Sequence, residues 1–404
     1  MSTRRPSTPR PGARRSGPPR RTTTAAAASA LSAALLAVLP APVAYADTIR
    51  DKQWGLAALH TQEAWRTTKG AGMTVAVLDT GVDDQHPDLR GNVLKGHDLV
   101  GFGARSGDRA WARHGTAMAS IIAGHGHGPG RGEGVLGIAP EAKILPIRVI
   151  LEGGDPARDK ARESRGNALA KGIRRAVDEG ADVINLSLGD DSESAHPEAE
   201  EDAAVQYALG KGAVVVASAG NGGEKGDHIS YPAAYPGVIA VTAVNEAGTH
   251  ASFSTRRWYA TVAAPGDDVV IADPDHSYYE GWGTSAAAAF VSGAVALVRA
   301  AHPDLPPAEI KRLLARTARD APQGGRDDSR GHGMVDPAAA IAAGGRGTTV
   351  RSTAAGYPKK YFGAGPETPD EGPVGPGVWA LVAGALGVLV LGAGVTVWRR
   401  GHPH

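Results

Sequence analysis

Five short apolar runs recur along the chain, at 73–78, 143–149, 182–186, 213–217 and 238–242. Each is rich in Val and Ile and nearly unbroken by polar residues, the pattern of strands covered on both faces. Helical patterns separate or follow them, at 115–123, 167–179, 198–209, 285–301 and 307–317. This alternation predicts an α/β fold of three layers, a mostly parallel central sheet with helices on both sides. In such folds ligands bind outside the carboxyl ends of the strands, so candidate residues are sought there.

Cysteine is absent from all 404 residues, which excludes disulfides, thiol catalysis and Cys-ligated zinc. Lys and Arg total 43 against 42 Asp and Glu, but seven Arg and no acid lie in 1–46. The remainder carries an acidic excess, so nothing points to a nucleic-acid partner.

Residues 1–46 run from a basic region through an apolar stretch at 25–39 to Ala44-Tyr45-Ala46, the order of a secretory signal peptide. Cleavage after Ala46 is expected. Residues 378–398 hold 21 uncharged residues, with Trp379 and Trp398 near the ends and Arg399-Arg400 following. That length spans the ~30 Å hydrocarbon core as a helix, and the arginines fit the cytoplasmic side. The expected order is signal peptide 1–46, N-terminal extension 47–70, globular domain 71–343, Gly/Pro linker 344–377, transmembrane helix 378–398 and cytoplasmic tail 399–404. A single-pass protein of the cell membrane follows, with its globular part outside the cytoplasm.

Four polar residues stand at the mouths of elements. Asp79 follows the first apolar run, His114 opens a helical pattern in His114-Gly115-Thr116, and Asn221 ends Ala219-Gly220-Asn221. Ser285 closes Gly281-Trp282-Gly283-Thr284-Ser285, directly before an Ala-rich run. Taken singly, these are a post-strand turn, a surface histidine, an Asn-Gly turn and an ordinary helix cap. Together they contain a hydroxyl nucleophile, a base, a carboxylate to orient the base, and oxyanion donors, the parts needed for acyl transfer.

These motifs, with His86-Pro87-Asp88-Leu89, Val135-Leu136-Gly137-Ile138-Ala139-Pro140 and Asn185-Leu186-Ser187-Leu188-Gly189, closely resemble those of the subtilisin-like serine peptidases over about residues 70–340. The resemblance implies the subtilisin-like fold and serine endopeptidase activity. It implies that Asp79 orients, His114 acts as general base, Ser285 attacks, and Asn221 with the Ser285 backbone N–H holds the oxyanion. It further implies that Ser187, Leu188 and Gly189 grip the polypeptide substrate with Ser218, Ala219 and Gly220, and that the Tyr231–Pro232 bond is cis. Two departures are Ala117-Met118, where relatives usually carry a second histidine, and Ala289, where they usually carry proline.

The overall layout, with a short Trp-containing extension at 48–56, resembles that of the mycosins. These are membrane-anchored subtilases associated with type VII secretion in actinobacteria, so a secretion complex becomes an implied partner. The alternatives are a structural partner of such a complex with proteolysis secondary, or a general degradative subtilase. No cofactor or metal is expected. Asp88 matches a position that ligates calcium in some relatives, but the Gly- and His-rich stretch at 124–133 is unlike a calcium loop and reads as a flexible surface loop. The acidic run at 190–202 reads as a solvated loop beside the cleft.

Overall fold

The structure, a computed structural model, describes residues 48–164 and 166–345. The expected signal peptide, nearly all of the linker, the membrane helix and the tail lie outside the described residues. In chain order the described elements begin with short helices α1 (Thr48–Asp51), α2 (Trp54–Ala58) and α3 (Thr61–Ala64), then β1 (Thr74–Asp79) and β2 (His97–Asp98). Next come α4 (Arg113–Ala123), the hairpin β3 (His125–His127) and β4 (Glu133–Leu136), β5 (Lys143–Arg148), α5 (Arg158–Ser164) and α6 (Ala168–Asp178). They are followed by β6 (Val183–Leu186), α7 (Ala199–Gly210), β7 (Val214–Ser218), β8 (Ile239–Val244) and β9 (Ala260–Pro265). A second hairpin, β10 (Val269–Ala272) and β11 (Tyr278–Gly281), precedes α8 (Thr284–Ala301), α9 (Pro307–Thr317) and α10 (Pro337–Gly344).

Seven strands form the central sheet in the order β2-β5-β1-β6-β7-β8-β9, every neighbouring pair parallel. All five expected apolar runs are in it. Alternate side chains face opposite layers, as the period of two requires. Val75, Val77, Val214 and Val216 pack with α4, α8, α9 and α10, while Ala76, Leu78, Val215 and Ala217 pack with α6 and α7. The three-layer α/β expectation matches this arrangement. The chain passes to β5 on one side of β1 and to β6 on the other, so the strand order reverses at β1. A crevice opens outside the carboxyl ends at such a reversal, and Asp79 is the last residue of β1.

Among the described residues, α8 is the helix long and apolar enough to cross a membrane, and 83% of it is buried inside the protein. It is the core helix, its Ala-rich sequence allowing close approach to the sheet. Ala289 is fully buried there, and Ala117 and Met118 are buried on α4, so both departures from the family pattern are taken up by packing.

One expectation needs correction. The stretch at 124–133 is a surface loop only in its second half: 128–133 are exposed, whereas 124–127 run into strand β3 and are buried or half-buried. His125 is buried, its ring nitrogens meeting Gly126 O at 2.7 Å and Arg90 O at 2.9 Å. The extension at 48–56 lies over this hairpin. Gln53 pairs with Leu136 in both directions, Nε2 donating to its carbonyl at 2.8 Å and Oε1 accepting its N–H at 2.9 Å. Arg50 donates to the carbonyls of Gly134, Glu133 and Arg131, Trp54 Nε1 to Asp268 O, and Lys52 pairs with Glu280 on β11.

Candidate active site

Helix α4 reaches the end of β1 because residue 115 is glycine. A Cβ there would stand 1.9 Å from Gly81 O, so a larger residue would force the helix off the strand. The contact sets the neighbouring His114 against Asp79, with Nδ1 2.9 Å from both carboxylate oxygens. Asp79 is fully buried and also accepts the Thr80 N–H at 2.7 Å. A ring held this way keeps its proton on Nδ1 and leaves Nε2 as the basic nitrogen. Burial works against the charged imidazole, but the Asp79 charge and hydrogen bond, with the Glu152 charge added, outweigh it and raise the His114 pKa above its ordinary value.

Ser285 is the second residue of α8. Its hydroxyl donates to Ser187 O at 3.1 Å, and Ser187 Oγ donates back to Ser285 O at 2.8 Å. Asn185 and Ser292 support this pair from the core, Asn185 Nδ2 donating to Ser187 Oγ and Ser292 Oγ donating to Asn185 Oδ1. Asn221 is oriented by Thr284, whose N–H and hydroxyl both donate to Asn221 Oδ1 at 2.9 Å. That fixes the amide nitrogen as the end available to a ligand. Gly283 has φ 144°, and a Cβ built on it would lie 3.7 Å from both Asn221 Nδ2 and Ser285 N. Two N–H donors therefore border one small space that the glycine leaves open. A helix N-terminus adjoins it, which favours negative charge.

A cleft of about 810 Å³ brings these groups together. His114, Asn221 and Ser285 line it, with Ser187, Leu188, Gly189, Ser218 and Gly220. Ala219 does not. It is fully buried, its N–H donating to Val241 O and its carbonyl accepting from Tyr259 OH, so its backbone is already committed. The Tyr231–Pro232 bond is cis, and the Tyr231 carbonyl accepts the Asp190 N–H at 2.9 Å beside Gly189.

Two acidic residues of the cleft wall were not singled out in the sequence. Glu152, in the loop after β5, accepts the His114 backbone N–H at 2.8 Å. Asp191 accepts the Asn221 backbone N–H at 2.8 Å. Part of the run at 190–202 is therefore structural rather than solvated. Glu201, on α7, accepts from Tyr235 OH, and burial raises its pKa to about 6.

Asp88 does not fit calcium as it stands. Calcium takes six to eight oxygen ligands, whereas one carboxylate oxygen of Asp88 meets His127 Nδ1 at 2.6 Å. The other accepts Val135 N–H and Tyr278 OH, both at 2.8 Å.

The sequence profile of the subtilase family matches residues 70–333, and the chain belongs to that family. Fervidolysin of Fervidobacterium pennivorans is 36% identical over 323 residues, spanning 74% of this chain and 44% of its own length. Mycosin-1 of Mycobacterium tuberculosis is 34% identical over 336 residues, spanning 72% of this chain and 73% of its own. The solved structure described as MycP3 protease from the type VII (ESX-3) secretion system superposes with a TM-score of 0.60 at 33% identity, covering 75% of this chain and 90% of that one. Within the family the chain is mycosin-like.

Proposed function

We propose that the chain is a serine endopeptidase that cleaves polypeptides through an acyl-enzyme on Ser285. The observation that carries this reading is the Asp79–His114 pair opening on the same cleft as Ser285 and Asn221. On substrate binding, the Ser285 hydroxyl turns from Ser187 O towards His114 Nε2, which takes its proton as Oγ bonds to the scissile carbonyl carbon. The carbonyl oxygen, now negative, enters the space before Gly283 and is held by Ser285 N–H and Asn221 Nδ2. His114 then gives the proton to the leaving amine. Water hydrolyses the ester by the same route. Ser187 to Gly189 and Ser218 with Gly220 hold the substrate as an added strand, which makes binding tolerant of sequence. No cofactor enters the reaction.

The finer reading places the peptidase outside the cytoplasm, tethered by residues 378–398 and linked to type VII secretion. It is supported by the order of sequence features and by relatives described as proteases of that system. The test is labelling of the purified protein with a serine-directed phosphonate. Modification at Ser285, lost in Ser285→Ala, is the expected result, and folded protein that takes no label overturns the reading. The same description of relatives favours a second role as a structural partner of the secretion complex. That role predicts that Ser285→Ala preserves secretion while deletion of the protein abolishes it.

A further inference from the structure

Helix α4 begins without a cap of its own. Its preceding residue, Ala112, sits at φ 52° and offers no side-chain acceptor. The first N–H groups of a helix have no partner within it, and here one of them belongs to His114. Glu152, in the loop after β5, supplies the acceptor, its Oε1 receiving that N–H at 2.8 Å. This is its one side-chain hydrogen bond among the described residues. The same carboxylate lines the cleft with the His114 ring. The charged and titratable groups around His114 are Asp79 from β1, Arg158 from α5 and Glu152 itself. Glu152 also acts on Arg113 and Tyr279, and Arg113 is already paired with Asp273 through Nε at 2.7 Å.

We propose that Glu152 is a positioning residue for the reaction, capping α4 through the His114 N–H and placing a second carboxylate beside that of Asp79 on the cleft. The inference rests on the proposed role of His114 as base. Asp79 holds the ring by its edge and Glu152 holds the backbone that carries it, so the imidazole is located from two directions. Negative charge at both points also favours the imidazolium that forms when Ser285 gives up its proton. Arg158 opposes this, and its guanidinium is drawn to Leu151 O. The two parts of the role separate chemically, because Glu152→Gln keeps an oxygen acceptor and loses the charge, whereas Glu152→Ala loses both.

The test follows the rate of inactivation by a serine-directed phosphonate against pH, for the wild type, Glu152→Gln and Glu152→Ala, with thermal unfolding recorded for each. In Glu152→Gln the acid limb is expected to move down by about half a pH unit, with the plateau rate changed less than twofold. In Glu152→Ala the limb moves likewise and the plateau rate falls about fivefold, in line with the loss of a helix cap. An acid limb that stays in place in both folded variants overturns the inference while leaving the proposed function standing. A wild type that takes no label removes the proposed function instead. A lower melting temperature with an unmoved acid limb identifies Glu152 as a structural cap only, which also overturns the inference.

Discussion

His114 carries two opposed dependences on pH. Its pKa is raised in the folded protein, chiefly by Asp79 against the opposing effect of burial. The Asp79–His114 pair therefore contributes stability that is fully present below the unfolded histidine value of about 6.5. That contribution is lost as pH rises through the higher folded value. The proposed base must be neutral, so activity runs the other way. The acid limb of kcat/KM on a peptide substrate should have its midpoint above about 6.5, and a midpoint below it would contradict the arrangement. Asp79, His114, Asn221 and Ser285 were legible in the sequence because each ends or opens an element beside a motif. Glu152 and Asp191 were not. They accept backbone N–H groups from segments 38 and 30 residues away, and such a bond leaves no pattern of residue types.

Among the elements, α8 bears the most on the site, since it presents Ser285 at one end and fills the core with the rest. Gly293 lies in its middle, where a Cβ would stand 1.8 Å from Ile138 Cγ2. Alanine is the better helix former by about 1 kcal/mol, but overpacking a core costs about 1–3 kcal/mol. With backbone and a buried isoleucine both fixed, the clash wins. Gly293→Ala should lower the melting temperature by about 3 °C or more, read by calorimetry. An unchanged or raised value would mean that α8 shifts freely against Ile138. The five β-branched strands could be read because their apolar runs are continuous. Strand β9 could not, as Ala260–Pro265 is Ala-rich and ends in proline, and it is a strand through pairing with β8 rather than through propensity. Helix α10 carries a start signal in its sequence, Asp336 capping Ala339 N–H ahead of Pro337.

At the scale of the whole molecule, the two core layers and the buried α8 stabilise the domain without disulfides, and Asp88 is engaged by His127, Val135 and Tyr278. Incubation with a chelator should leave both the melting temperature and the phosphonate labelling rate unchanged. A fall of more than about 4 °C would reveal a bound cation and overturn the reading of Asp88. The β3–β4 hairpin gives no strand signal, because it is rich in glycine and histidine, and it is contacts such as those of Arg90 with His125 and Asp88 with His127 that draw it into the fold. Lys52 and Glu280 are 228 residues apart, and Trp54 reaches Asp268 over 214. Any process that delivers the chain N-terminus first, synthesis included, releases the segment at 48–56 long before its partners exist. The N-terminal segment can therefore dock only after β11, the strand leading into Ser285, has been delivered.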